Sequence, residues 1–207
     1  MVYSIVLAAL TCYLLGNHNG AICISAMLHD DVREHGSGNA GLTNFIRNFG
    51  GGRAAMVIAI DIGKTVLACL LAERLLTPYG CGLEGKVLGG LFVMLGHDFP
   101  ILQGFRGGKG ILSGLAVAFA VDWRVGVIVV AAFFAAYLAT KYVSLGSVLS
   151  SVAFGAGFVI FYHQNTLVML GGIAMSALAV FMHRGNIVRL LKGEERKTNL
   201  FGKGKQQ

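Results

Sequence analysis

Charge is what this sequence has least of: 13% of its 207 residues are Asp, Glu, Lys or Arg, and only 10 of them are acidic. An ordinary soluble domain carries roughly a quarter, so too little charged surface remains to cover a water-soluble bundle of these apolar runs. Cysteine is equally uninformative as a framework. Cys12, Cys23, Cys69 and Cys81 form no CxxC pair and have no histidine at ligand spacing, which argues against a disulfide scaffold or a zinc site and leaves packing thiols. No basic residue precedes the first apolar run, and no clear small-residue cleavage pattern follows it. Residues 1–28 are therefore read as a retained span and not as a secretory signal.

What is present is apolar. Hydrophobic residues make up 55% of the chain and the mean hydropathy is +0.69, the composition of an integral membrane protein. The 30 glycines suit close helix approach in a bilayer and also supply loop backbone. Apolar stretches fall at about 4–28, 53–76, 86–103, 110–122, 125–140, 144–162 and 166–183. They predict an all-α integral membrane fold of about seven transmembrane helices in a single domain, 1–207. Several are shorter than the ~20 residues of an upright span. The fourth and fifth are separated only by Asp122, Trp123 and Arg124, so that one broken hairpin is the alternative there. The net charge of +7 is read as membrane orientation and not as nucleic-acid binding. If all seven stretches cross, Lys and Arg divide 13 to 3 between the two sides, with Lys64 inside a span. That asymmetry predicts an amino terminus outside and a carboxyl terminus in the cytoplasm.

Every unusual polar stretch then lies on the basic side: residues 33–50, 96–110, 141–145 and 183–197. Their glycines, hydroxyls, amides and cations are the equipment for holding phosphate oxygens. Two nucleotide motifs fail. Gly36, Gly38 and Gly41 match G-x-G-x-x-G, but no buried strand precedes them; a Walker loop ending at Gly63, Lys64 and Thr65 has Ile58 in place of its first glycine. Asp61 and Lys64, three apart on one helical face inside a span, are read either as mutually neutralising or as functional. His97 is read either as a base or, in preference, as a helix-end residue that satisfies carbonyls freed where Pro100 ends its helix.

Taken in order, "GSGNAGLTN" with Arg47, "GHDFP" followed by "FRGGKG", "KYVSL", and "HRGNI" with Gly193 and Glu195 resemble the bacterial acyl-phosphate:glycerol-3-phosphate acyltransferases of the PlsY family. The resemblance runs from about Tyr13 to Glu195. It implies transfer of a fatty acyl group from acyl phosphate to the 1-hydroxyl of glycerol 3-phosphate at the bacterial inner membrane, by a monomer, with the active site facing the cytoplasm. Ser37, Arg47, Lys109, His183 and Asn186 are the catalytic residues it implies. Gly36, Gly38, Asn39, Thr43, Asn44, Gly107, Gly108, Gly110 and Ser144 are the substrate-binding ones, and Glu195 matches an acid associated with structural integrity. No metal or other cofactor is expected. The proton acceptor is left open between His183 and a substrate phosphate oxygen. An H-x-x-x-x-D acyltransferase dyad is absent, because no histidine has an aspartate five positions later. The chain departs from the family at Asn17, His18 and Asn19, where Ser and then Pro are usual, and at Arg106, where Lys is common. Residues 196–207 form a basic tail, read as a membrane-surface or disordered extension. The competing reading is a small transporter of an anionic or phosphorylated solute, built around Asp61 and Lys64.

Overall fold

The computed structural model describes residues 1–198; the expectation for the tail from Asn199 onward lies outside the described residues. Among the described residues the chain is all-helical, with no strand. The helices are α1 (Val2–Gly16), α2 (Gly20–Ala26), α3 (Leu42–Phe49), α4 (Ala54–Leu76), α5 (Gly82–Asp98), α6 (Ile111–Val121), α7 (Trp123–Thr140), α8 (Val143–Tyr162), α9 (Thr166–Met182) and α10 (Arg184–Leu191). Four helical segments are long and apolar enough to cross a bilayer, or six if α1 with α2 and α9 with α10 each count as one bent span. The 11 residues of α6 extend only about 16 Å at ~1.5 Å per residue, short of a hydrocarbon core of ~30 Å.

The first apolar stretch is not one continuous helix. α1 and α2 meet at a 45° bend over residues 17–19, where the Asn17 and Asn19 side chains bond to backbone outside α1. Asn19 Oδ1 accepts the Ile22 N–H at 3.1 Å and caps α2. Asn17 Oδ1 accepts the Leu102 N–H at 3.0 Å, tying the bend to the loop after α5. The fourth and fifth stretches are two helices divided at Asp122. Its carboxylate caps α7 by accepting the Arg124 N–H at 2.9 Å, and it pairs with the Arg124 guanidinium at 2.6 Å.

Apolar surface gains little by leaving lipid for another helix, so close backbone packing does more of the assembly. α1 and α5 meet through Gly16 and Gly96: a Cβ on Gly96 would lie 2.0 Å from the Tyr13 carbonyl oxygen. A larger cluster joins α5, α6, α8 and α9 through Met94, Val117, Phe154, Phe158 and Met175. A smaller one, with Ile22, Ile24, Val32, Phe45 and Val57, lies under α3. The four cysteines are free, and Cys12 Sγ donates to the Ala68 carbonyl at 3.3 Å.

Asp61 and Lys64 pair at 2.9 Å, both buried, as mutual neutralisation requires. His97 departs from expectation. Pro100 does follow the end of α5, yet the His97 ring turns inward instead of toward freed carbonyls, with Nδ1 2.8 Å from Lys64 Nζ. An ammonium inside the bundle is the stronger partner.

Candidate active site

α3 is short and strongly amphipathic. Leu42, Phe45 and Phe49 pack on the smaller cluster, Phe45 and Phe49 stack at 5.1 Å, and Thr43 and Arg47, one turn apart, line the opposite side of the helix on a cavity. The loop before α3 is shaped by Asn44. Its Nδ2 lies 3.0 Å from the carbonyl oxygens of Val32, His35 and Asn39, and its Oδ1 accepts the Ser37 N–H at 3.1 Å. Gly36 and Gly38 turn the loop at positive φ, +60° and +68°. Asn44 was expected to bind substrate; although it borders the cavity, its amide is committed to holding Ser37 in place.

The second contribution comes from Lys109, at the end of the glycine-rich loop before α6. Its ammonium donates to Asn186 Oδ1. Asn186 Nδ2 in turn donates to Glu195 Oε1 at 3.2 Å, and Arg189 Nε donates to Glu195 Oε2 at 2.9 Å. The acid the resemblance associated with integrity thus orients the amide that orients Lys109. Burial first, and then the neighbouring cations Arg189 and Arg184, lower the Lys109 pKa to about 8, with Glu195 opposing them.

His183 sits where α9 breaks into α10 at a 55° bend. Its Nδ1 lies 2.8 Å from the Ala179 carbonyl oxygen. A carbonyl only accepts, so the neutral ring holds its proton on Nδ1 and keeps Nε2 as an acceptor. Asn186 and Arg189 follow at three-residue spacing along α10 and line the same cavity. Ser144 opens α8; its Oγ is buried in the cavity wall with no hydrogen-bond partner among the described residues.

These groups border one cavity of about 590 Å³. Ser37, Arg47, Lys109, Ser144, His183 and Asn186 form its polar end, together with Gly36, Asn39, Thr43 and Gly110. Leu112, Leu115, Val129, Val130, Phe133 and Phe134, from α6 and α7, form an apolar arm. Gly38, Gly107 and Gly108, expected to touch substrate, lie outside the lining. Arg189 escaped the sequence reading, although its place three residues after Asn186 on a helix was the signal; Asp61 and His97 also reach the wall. Arg47 donates to the Thr198 hydroxyl. Among the described residues no group of three or more His, Cys, Asp or Glu side chains could hold a metal ion.

The glycerol-3-phosphate acyltransferase family model matches residues 6–193. A glycerol-3-phosphate acyltransferase of Thermoanaerobacter sp. (strain X514) is 39% identical over 193 residues, 93% of this chain and 94% of that one. One from Clostridioides difficile (strain 630) is 35% identical over 198 residues, covering 95% and 96%. Two crystal structures of PlsY (YgiH), an integral membrane glycerol 3-phosphate acyltransferase, are 31% identical over 95% of this chain and 96% of theirs. The glycerol 3-phosphate form superposes with a TM-score of 0.84 and the lysophosphatidic acid form with 0.80. With the matching motifs gathered around one cavity and nearly the whole chain aligned, this protein belongs to the glycerol-3-phosphate acyltransferase family.

Proposed function

We propose that the chain moves a fatty acyl group from acyl phosphate to the 1-hydroxyl of glycerol 3-phosphate, giving lysophosphatidic acid and inorganic phosphate, the first step of phospholipid biosynthesis. The observation that carries this reading is a single cavity with a cationic, hydroxyl-lined end and an apolar arm. Both reactants bear phosphate, and only one has a hydrocarbon chain. The arm takes the chain, and the polar end takes the phosphates.

Arg47 offers a planar two-donor grip on a phosphate, and Lys109 adds a point charge. The Ser37 and Ser144 hydroxyls and the loop N–H groups complete the donor set; those facing the attacked carbonyl also stabilise the negative charge that develops on its oxygen. The glycerol oxygen attacks the acyl carbon, the bond from that carbon to the phosphate oxygen breaks, and phosphate departs with the electron pair. The hydroxyl proton passes to His183 Nε2. An acyl phosphate is already an activated anhydride, so no acyl-enzyme is required.

Six spans with the bent pairs counted singly, and α6 as a short seventh, make seven crossings; the basic asymmetry of the loops then supports an amino terminus outside and a cavity facing the cytoplasm of a bacterial inner membrane. Glycerol 3-phosphate, a polar anion, then reaches the site from water, and acyl phosphate from the bilayer. That one chain supplies both the polar groups and the apolar lining of the cavity supports a monomer as the working unit. Purified protein given both substrates should release phosphate only when glycerol 3-phosphate is present; release without it, or none at all, refutes the reading.

A further inference from the structure

The two glycines ahead of Lys109 are moulded on His97. The Gly108 N–H donates to the His97 carbonyl at 3.0 Å. A Cβ on Gly108 would fall 2.1 Å from His97 Nε2, and one on Gly107 2.1 Å from the His97 carbonyl oxygen. His97 is itself held from behind. Lys64 Nζ lies 2.8 Å from its Nδ1, 2.9 Å from Asp61 Oδ1, and 3.2 and 3.0 Å from the carbonyl oxygens of Gly16 and His18, four acceptors around three N–H groups. Asp61 also accepts the Gly20 N–H at 3.0 Å. Around one ammonium the structure thus joins the α1–α2 bend, α4 and α5.

The same hub reaches the other substrate loop. Asn19 Nδ2 donates to the Ala40 carbonyl at 2.9 Å, and the Ala40 N–H reaches the Gly107 carbonyl at 3.4 Å. Ala40 closes the loop that presents Ser37. The loops carrying Ser37 and Lys109 are therefore fastened to one another and to His97 by bonds in which the side chains of Ser37, Arg47, Lys109, Ser144, His183 and Asn186 take no part, although His97 and Asp61 also reach the cavity wall.

From this geometry we propose that His97 and Lys64 are positioning residues for glycerol 3-phosphate: they set where Lys109 stands relative to Ser37 without supplying chemistry. The inference rests on the acyltransferase reading for the identity of the ligand. It also assigns a task to the buried ion pair that a transport reading would have used for solute, and it gives the departure at Asn17 to Asn19 a part in the hub, through the His18 carbonyl and the Asn19 side chain.

The test is a double-mutant cycle of Gly108→Ala with His97→Asn. Asparagine keeps an acceptor for Lys64 near the place of Nδ1 but removes the ring edge that excludes a Cβ on Gly108. The 2.1 Å clash with Nε2 is then gone, leaving the asparagine Nδ2, near the former place of the ring Cδ2 at 2.9 Å, and the Ala40 carbonyl at 3.0 Å as the neighbours of that Cβ. Gly108→Ala should weaken glycerol 3-phosphate binding about tenfold or more in the wild-type background and no more than about twofold in His97→Asn, a non-additivity expected of residues in direct contact. Binding is measured by titration calorimetry in detergent, beside turnover. Equal losses in both backgrounds overturn the proposal. If the wild type binds glycerol 3-phosphate but does not turn over, the acyltransferase reading fails while the cycle still decides; if it does not bind, both fail. Lys64→Met provides a second arm, expected to raise the KM for glycerol 3-phosphate about tenfold while that for acyl phosphate moves less than about twofold. Equal rises in both KM values would mark a merely structural lysine and also overturn the proposal.

Discussion

Raising the pH from 7 to 9 should switch off the Lys109 contribution to glycerol 3-phosphate capture while making the empty protein more stable. With a pKa of about 8, the ammonium is about 0.9 populated at pH 7 and about 0.1 at pH 9. If only the ammonium form binds phosphate well, kcat/KM for glycerol 3-phosphate falls about tenfold over that interval, since kcat/KM reports the free enzyme. The profile of kcat should be displaced upward, because bound phosphate holds the proton on. The stability change has the opposite sign. A lysine whose folded pKa lies below its ordinary 10.5 binds fewer protons folded than unfolded, so stability rises from pH 8 toward 10.5. The gap is worth on the order of 3 kcal/mol, to be discounted for the part of the side chain that meets solvent. Initial rates with acyl phosphate held well below saturation, and thermal unfolding in detergent without substrate, measure the two effects. Lys109→Arg should erase the basic limb, because a guanidinium stays charged throughout. A kcat/KM flat between pH 7 and 9, or a limb that survives Lys109→Arg, would refute the reasoning.

Arg47→Lys should lower kcat/KM for glycerol 3-phosphate by about 10-fold to 100-fold, since one ammonium cannot reproduce a two-donor grip; unaltered steady-state kinetics would remove Arg47 from the phosphate site. Asn44→Ala frees the loop before α3 and leaves its carbonyls unpaired, at about 1–3 kcal/mol, and should appear as a lowered midpoint of thermal unfolding together with a raised KM for glycerol 3-phosphate. Asp122→Ala removes the cap of α7 far from the cavity, so unfolding should come about 1 kcal/mol easier with kinetics unchanged. Incubation with a strong chelator should leave phosphate release intact, and a loss restored by a divalent ion would contradict metal-independent chemistry.

Composition alone determined that this chain belongs in a membrane and is helical, because a bilayer admits helices without unpaired backbone groups and because so little charge remains for a soluble surface. Local motifs determined which residues meet: Ser37, Arg47, Lys109, Ser144, His183 and Asn186 all border one cavity, and each sits in a polar stretch or where one meets a span. Tertiary structure decided the rest. No spacing in the sequence says that the Asn44 amide is spent on three carbonyls of its own loop, or that Gly107 and Gly108 pack against His97, since both depend on which backbone atoms lie across an interhelical gap. His97 was misread for the same reason. A proline three residues away is visible in the sequence, whereas an ammonium from another helix, 33 positions earlier in the chain, becomes its neighbour only when α4 and α5 pack.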